Sequence, residues 1–313
     1  MSQKYTILLY YKYVRIDEPQ AFRDAHFELC KRLGLKGRII IATEGINGTC
    51  EGTDEACQEY MQIMKADARF SDIHWKVSLG TPDGKAFPRL SVKVRKEIVS
   101  LHLGDEDEDI DPNQITGIHL KPEELRKWYE EGREFHIVDM RNGYELEVGK
   151  FEGTVFPELD NFRDLKKNLK KIEDLKDKTV LTVCTGGVRC EKASGLLVRE
   201  GFNDVYQLDG GMVTYMEKYP GQDFKGSLYV FDQRLTLNFT DPAKHEIIGK
   251  CKKCGSKSEH YVNCSNNNCH EHFICCIDCL EENPPNHPSG GVAYCDIWCK
   301  TKDKINKFKK ALV

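Results

Sequence analysis

The order of apolar and polar positions predicts a ferredoxin-like α+β domain over residues 1–104. Stretches with strand-like and helix-like periodicity follow one another there as βαββαβ, the order typical of that fold. Strands are predicted at 5–14, in a pair over 36–52 that turns at 45–48, and at 73–80, with one more alternating strand at 89–101. The first helix is predicted to begin at Asp17 or Pro19 and to end at Gly34, and Thr53 is expected to cap the second.

Residues 115–225 alternate strands and helices, which predicts a doubly wound parallel sheet. Strands are predicted at 135–142, 178–184 and 204–211, and helices at 120–132, 164–175, 191–202 and 212–220. Between the two domains, the acidic run DEDEDID at 105–111 predicts a solvated linker over residues 105–114. Residues 226–313 form the third region, a C-terminal extension that begins with a strand or hairpin at 227–239.

Composition narrows the class of protein. With 313 residues and 40% apolar residues, the chain is long and apolar enough for more than one globular core. It has no apolar run long enough to span a membrane and no signal-peptide pattern, so a soluble cytoplasmic protein without a membrane partner is expected. The net charge of −4 does not itself indicate nucleic-acid binding, although both ends of the chain are slightly basic.

The stretch VCTGGVRC at 183–190 contains the strongest candidate for catalysis. Cys184 stands at the carboxyl end of a predicted strand and faces the start of a helix, where backbone amides and the helix dipole stabilise an anion. Arg189 adds a positive charge, so we expect a thiolate near neutral pH that is open to a substrate. The intervening loop is Thr185, Gly186, Gly187 and Val188. Cys190 is a resolving thiol, a sulfur relay or a plain helix residue.

Residues 115–220 resemble a rhodanese domain, through IVDMRN at 137–142, CTGGVR at 184–189 and VYQLDGG at 205–211. Four residues separate Cys184 from Arg189, as in rhodaneses, whereas the related phosphatases have five. The resemblance therefore disfavours a phosphatase and implies that Cys184 is the reactive cysteine.

Residues 4–280 as a whole resemble the tRNA uridine(34) hydroxylases, which join a rhodanese domain to an acylphosphatase-like N-terminal domain. The resemblance rests on EGINGT (44–49), FPRLSVKVRKEIV (87–99), CTGGVRCEKAS (184–194), GSLYVFDQRL (226–235) and the trailing cysteine pairs. It implies conversion of the wobble uridine in tRNA anticodon loops to 5-hydroxyuridine, with molecular oxygen as co-substrate and Cys184 essential. No flavin, nicotinamide or haem motif identifies an oxygen-activating cofactor. Two alternatives stay open: a sulfurtransferase that carries a persulfide, from thiosulfate or in a tRNA thiolation relay, and a RING-like zinc adaptor without enzymatic activity.

Basic residues of the N-terminal domain are the candidates for RNA contact. Acylphosphatases hold phosphate with an arginine and an asparagine, and Arg38 and Asn47 invite that comparison. The full candidate set is Arg38, Asn47, Arg89, Lys93, Arg95 and Lys96.

The C-terminal extension carries paired cysteines with the spacing of zinc ligands. The eight candidates are Cys251, Cys254, Cys264, Cys269, Cys276, Cys279, Cys295 and Cys299. Four pairs are enough for two structural zinc ions in a small zinc-held module, with the first pair joining the third and the second joining the fourth. Cys275 is left over, and His270 or His272 could replace a cysteine.

Overall fold

The computed structural model describes residues 3–103, 109–280 and 291–311. The chain divides into two compact units. One unit is formed by Met1–Asn142, Gly153–Pro220 and Val230–Arg234, and the other by Gly143–Glu152, Gly221–Tyr229 and Leu235–Val313. The predicted fold class is confirmed, because both α/β regions and the cysteine-rich region are present.

The N-terminal domain is a five-stranded sheet with two helices on one face. Its elements are β1 (Tyr5–Tyr13), α1 (Pro19–Arg32), β2 (Lys36–Ala42), β3 (Gly45–Thr53), α2 (Asp54–Ala66), β4 (Lys76–Leu79) and β5 (Leu90–Val94). The strand order is β4-β1-β3-β2-β5, antiparallel except for β2 with β5. Leu8, Tyr10, Ile39 and Ile41 pack in the core with residues of the two helices. Alternation along β1 therefore places Leu9, Tyr11 and Tyr13 on the opposite face, which we call the outer face.

The expected turn at 45–48 is wrong by a few residues, since β3 already begins at Gly45 and the turn is made by Thr43 and Glu44. The glycines are in the strand because β1 comes too close to admit side chains. A Cβ on Gly45 would lie 2.0 Å from the Lys12 carbonyl oxygen, and one on Gly48 would lie 2.5 Å from the Tyr10 ring. The predicted cap is confirmed, as the Ala56 amide donates to Thr53 Oγ1 at 3.2 Å.

The second domain contains the predicted parallel sheet, in the order β6-β10-β9-β7. The elements from residue 118 to residue 218 are β6 (Ile118–Leu120), α3 (Pro122–Glu130), β7 (His136–Asp139), α4 (Gly143–Leu146), β8 (Gly149–Phe151), α5 (Leu165–Asn168), β9 (Thr179–Val183), α6 (Val188–Arg199), β10 (Asp204–Leu208) and α7 (Gly211–Lys218). Of these, α4 and β8 belong to the other compact unit.

Two predictions near this domain need correction. The helix expected at 164–175 is instead two 3-10 segments around the four-residue α5, with non-helical backbone at the buried Ile172. Residues 105–108 of the expected linker lie outside the described ranges. The expectation of a solvated linker is wrong for the two residues that follow, because Asp109 forms an ion pair with Lys192 and Ile110 is buried in the core of the second domain.

The C-terminal extension consists of short strands and one helix: β11 (Phe224–Gly226), β12 (Leu228–Tyr229), β13 (Thr236–Leu237), β14 (Tyr261–Asn263), β15 (His272–Ile274) and α8 (Ile297–Ala311). The pair β12–β13 is the hairpin predicted at 227–239. None of the helices in the described ranges has the length and apolar character needed to cross a bilayer.

Candidate active site

The loop between β9 and α6 curls around the sulfur of Cys184. Gly187 has a φ of 100° and forms the N-cap of α6. Its amide donates to Cys184 Sγ at 3.2 Å, and the amides of Arg189 and Cys190 also donate to this sulfur. A left-handed residue at this position requires glycine, and it turns the chain so that successive amides converge on one atom.

The loop makes Cys184 an ionised thiol. Burial alone would raise its pKa, but the Cys190 thiol donates a hydrogen bond to the sulfur, and the Arg189 charge and the loop amides act in the same direction. Together they lower the pKa of Cys184 to about 6. Burial beside that charge raises the pKa of Cys190, so Cys190 stays protonated and keeps its role as a donor. A pKa of Cys184 below that of an ordinary thiol was expected from the sequence, and these contacts give it a physical cause.

Arg189 is held beside the loop rather than pointing to solvent. Its guanidinium donates to Thr185 Oγ1 at 3.3 Å and lies 5.8 Å from the centre of the Phe231 ring. Only 7% of the residue is exposed. An arginine fixed in this way supplies a permanent positive charge at the sulfur.

The start of α7 packs directly against the loop and fixes its backbone. The amide of Met212 donates to the Cys184 carbonyl at 2.9 Å, and that of Val213 to the Thr185 carbonyl at 3.1 Å. Gly211 makes this approach possible, because a Cβ there would lie 2.6 Å from the Gly187 nitrogen. The LDGG sequence at 208–211 is therefore part of the loop's support.

The outer face of the N-terminal sheet covers the loop. A Cβ on Gly186 would lie 3.0 Å from the Leu9 side chain, and one on Gly187 would lie 2.8 Å from the Tyr11 hydroxyl. The Tyr13 hydroxyl donates to the Val188 carbonyl at 3.2 Å. Cys184 is consequently 0% exposed, and the expectation of an open sulfur is wrong for this structure. The covering side chains come from strands more than a hundred residues away in sequence, so the loop motif gave no indication of them.

A polar network continues from the loop to the edge of the parallel sheet. Glu191, on the first turn of α6, accepts from the Tyr11 hydroxyl at 3.0 Å and from Gln207 Nε2 at 3.0 Å. His119 Nε2 lies 3.4 Å from the same carboxylate. The neighbouring carboxylates of Asp209, 3.9 Å from Nδ1, and of Glu191 raise the pKa of His119 to about 10, which favours its protonated form.

Three of the RNA-binding candidates lie on the outer face of the sheet. Register places Arg38 on β2, two strands from β1, and Lys93 on the same face of β5. Arg95 follows one residue after β5, and its amide donates to the Ile41 carbonyl of β2. All three are exposed. Arg89 and Lys96 are exposed beside the ends of β5. Asn47 differs, because it is half-buried and its amide donates to the Ile98 carbonyl at 3.0 Å.

Comparison with known proteins matches three stretches of the chain. Family models match residues 5–98, described as a "UPF0176 acylphosphatase like domain", residues 121–218, a "Rhodanese-like domain", and residues 225–300, "Rhodanase C-terminal". A tRNA uridine(34) hydroxylase from Bacillus velezensis is 43% identical over 97% of this chain and 91% of its own length. One from Cytophaga hutchinsonii is 44% identical over 89% of this chain and 86% of the relative. The chain belongs to the tRNA uridine(34) hydroxylase family.

The predicted membership of the tRNA uridine(34) hydroxylase family is thus confirmed. Among solved structures, the rhodanese-like domain of a protein from Anabaena sp. is similar to this chain, with 21% sequence identity. The similar region covers 34% of this chain and 78% of the Anabaena chain, with a TM-score of 0.30.

This member of the tRNA uridine(34) hydroxylase family brings its C-terminal cysteines together in the two groups expected from the sequence. One group is Cys251, Cys254, Cys276 and Cys279, and the other is Cys264, Cys269, Cys295 and Cys299. Within each group the sulfur atoms lie within 4.8 Å of one another. Cys275 and the two histidines, His270 and His272, belong to neither group among the described residues.

The distances within each group fit a tetrahedral metal site. Four thiolates at about 2.3 Å from a zinc ion lie about 3.8 Å from one another. Cys254 and Cys276 are 3.6 Å apart at sulfur, and Cys269 and Cys295 are 3.8 Å apart. These separations are far longer than the roughly 2.05 Å of a disulfide bond.

Proposed function

We propose that the protein hydroxylates C5 of the wobble uridine in tRNA, with molecular oxygen as co-substrate and the Cys184 thiolate as the nucleophile. The observation that carries the proposal is the convergence of Cys190, Arg189 and the loop amides on the Cys184 sulfur, in a chain that belongs to this family. The low pKa of Cys184, about 6, supplies a thiolate at neutral pH.

The proposed reaction begins with addition of the Cys184 sulfur to C6 of the uracil ring. The C5–C6 electron pair then becomes an enolate spread over C5 and O4, which makes C5 reactive toward an oxygen electrophile. After the C5–O bond forms, loss of the C5 proton and of the sulfur from C6 restores the double bond. One oxygen atom enters the product, and a two-electron donor is required to reduce the other to water.

The groups that stabilise the Cys184 thiolate can also stabilise the negative charge that forms on the uracil ring after the sulfur adds. Arg189 and the loop amides already surround a negatively charged sulfur. When that charge moves onto the uracil O4, the same donors are within the site to stabilise it, without reorganisation of solvent. Because Cys184 is sealed by Leu9 and Tyr11, the N-terminal sheet must move before an extruded base reaches the sulfur.

The proposed path of the RNA follows the outer face of the N-terminal sheet. Tyr11, on β1, contacts the loop that follows Cys184. On the same face, Arg38 lies two strands away on β2, and Lys93 and Arg95 lie three strands away on β5 and just after it. Adjacent strands are about 4.8 Å apart, so these cations lie about 10–15 Å from β1. That reach suits contacts to backbone phosphates of the anticodon loop while the target base enters the site.

We further propose that each group of four cysteines holds one structural zinc ion. All four ligands in each group come from the chain, and such a closed site serves folding rather than catalysis. Zinc bound in this way would tie together the strands and loops of the C-terminal extension.

One experiment separates this function from sulfur transfer. tRNA isolated from a strain that lacks the gene, before and after incubation with the purified protein, oxygen and a two-electron reductant, is digested and its nucleosides are measured by mass spectrometry. The proposal expects 5-hydroxyuridine to appear only with the active protein. In parallel, transfer of sulfur from thiosulfate to cyanide is measured. Strong sulfur transfer with no change in 5-hydroxyuridine would favour the sulfurtransferase instead.

A further inference from the structure

A buried lysine from the N-terminal domain lies in the wall of the candidate active site. Lys76 begins β4 and pairs with Leu9 of β1, so both side chains project from the outer face toward the loop. Leu9 contacts Gly186. Lys76 Nζ lies 4.8 Å from the centre of the Tyr11 ring, whose hydroxyl contacts Gly187.

The Lys76 ammonium group has an unusual combination of burial and missing partners. The residue is 4% exposed. Among the described residues, its Nζ has no ion pair and no hydrogen bond, and it lies over the Tyr11 ring. Burying a charge without a partner costs stability, so packing alone does not account for a lysine here.

The charges that act on Lys76 come from the active site. Burial lowers the pKa of Lys76 to about 8, while negative charge nearby opposes that change, beginning with the Cys184 thiolate. The other groups that oppose it are Asp209, Glu191 and Glu217. His74 is a further neighbour, whose pKa is lowered by its own burial and by the Lys76 charge. Because a Coulomb interaction is mutual, an ammonium that is stabilised by the Cys184 thiolate also stabilises that thiolate.

We propose that Lys76 is a positioning residue for the nucleophile: together with Arg189, its ammonium group keeps Cys184 in the thiolate form. Arg189 supplies a charge from the rhodanese domain, and Lys76 supplies the second from the domain that covers the loop. The thiolate is thus fully stabilised only when the N-terminal sheet is in place. The consequence for catalysis rests on the proposed function, whereas the effect on Cys184 does not.

The test measures the ionisation of Cys184 without any tRNA. The full-length, zinc-loaded protein is alkylated with iodoacetamide between pH 5 and 9, and the rate at Cys184 is followed in its own peptide by mass spectrometry. Wild-type protein is expected to give a midpoint near the Cys184 pKa of about 6. Lys76→Met removes the charge at similar length, and the midpoint should rise by about one pH unit. Lys76→Arg keeps the charge and should stay near the wild-type midpoint.

Stability distinguishes this role from a structural one. Because Lys76 is a buried charge without a bonded partner, Lys76→Met should unfold at the same or higher urea concentration than the wild type. Lys65→Met, at an exposed lysine on α2 of the same domain, should change neither the midpoint nor the stability. Should Lys76→Met prove unfolded, Lys76→Gln supplies the same comparison with a polar side chain.

The inference is overturned if a folded Lys76→Met or Lys76→Gln protein keeps the wild-type midpoint. Activity then separates the two proposals. A shifted midpoint in a protein whose wild type makes no 5-hydroxyuridine would sink the proposed function and leave the role of Lys76 standing. An active wild type with an unshifted Lys76→Met midpoint would sink only the role of Lys76. If both proposals hold, Lys76→Met should hydroxylate about fivefold more slowly at pH 6 and recover as the pH rises.

Discussion

At the scale of single residues, the chemistry of the site depends on a pair of cysteines with opposite protonation states. Cys184 is ionised and Cys190 is protonated, and each state stabilises the other through one hydrogen bond. A donor to a charged acceptor is worth about 1.5–3 kcal/mol, more than a donor to a neutral one. Cys190 therefore has a defined physical role even without a redox or relay function.

The role of Cys190 predicts a shift in the Cys184 pKa. In Cys190→Ala the donor is lost, and the pKa of Cys184 should rise from about 6 by about one to two units. Cys190→Ser keeps a donor and should shift it much less. The pH dependence of Cys184 alkylation measures both variants. An unchanged midpoint in Cys190→Ala would contradict this role, and a loss of activity in Cys190→Ser without a pKa shift would favour a sulfur relay.

The backbone of the loop gives a second prediction at this scale. Gly211→Ala would place a Cβ against the Gly187 nitrogen and the Thr185 carbonyl in a left-handed conformation, and should cost about 3 kcal/mol of unfolding free energy. Gly201 also has positive φ, but nothing lies within 4 Å of its Cβ position. Gly201→Ala is thus the matched control, with an expected cost of about 1 kcal/mol. Equal losses for the two variants in urea unfolding would show that the contact with the loop is unimportant.

At the scale of elements, a lysine on α6 joins the second domain to the N-terminal one. Lys192 Nζ lies 2.8 Å from Glu44, 3.0 Å from Glu97 and 2.7 Å from Asp109. The lysine side chain is fully buried, whereas the three carboxylates keep some exposure. One helix thus places the nucleophile loop at its start and an anchor for the covering domain one turn later.

Removing the Lys192 charge should destabilise this unit strongly. Lys192→Met leaves three carboxylates clustered without their cation, and the expected loss is about 3 kcal/mol of unfolding free energy. Lys171, on the surface, pairs with the exposed Glu158, so Lys171→Met should cost less than about 1 kcal/mol. Urea unfolding followed by tryptophan fluorescence compares them. A Lys192→Met protein as stable as Lys171→Met would show that the cluster does not join the domains.

Elements with strong local signals were predictable from the sequence, and those defined by distant partners were not. Thr53 predicts the start of α2, and Pro19 and Gly34 predict the two ends of α1, because capping and helix-breaking residues act on their immediate neighbours. The short strands β6, β8 and β11 lack such signals, as each exists through pairing with a remote strand. For the same reason, the sequence did not predict that β1 covers the Cys184 loop. Lys76 had a faint signal, a lysine at the start of an alternating strand that the βαββαβ order places beside β1.

At the scale of the whole molecule, the cysteine-rich extension predicts a defined metal content. Two groups of four thiolates should bind two zinc ions per chain, released when a mercurial reagent blocks the thiols. Cys254→Ser removes a ligand of the first group and should leave about one firmly bound ion. Cys275→Ser changes a buried cysteine outside both groups and should keep two. Two firmly bound ions in Cys254→Ser, or none in the wild type, would contradict the assignment, and colorimetric zinc titration reads each case.

The Cys184 loop belongs to the rhodanese domain. The strand that covers this loop, Lys76 and the basic surface belong to the N-terminal domain. The reactive-cysteine loop and the two groups of four cysteines could be predicted from the sequence because each lies in a short motif with its own chemistry. The combination depends on contacts between the loop that follows Cys184 and a strand 175 or more residues earlier, and only the fold brings them together.

The most direct test of the central claim is the yield of 5-hydroxyuridine in tRNA treated with the Cys184→Ser protein. A serine hydroxyl is not ionised by this loop at neutral pH, so the yield should fall by on the order of a thousandfold, with folding and zinc content unchanged. Cys275→Ser should keep the wild-type yield. A Cys184→Ser protein that still forms 5-hydroxyuridine at a rate near that of the wild type would contradict catalysis by the Cys184 thiolate.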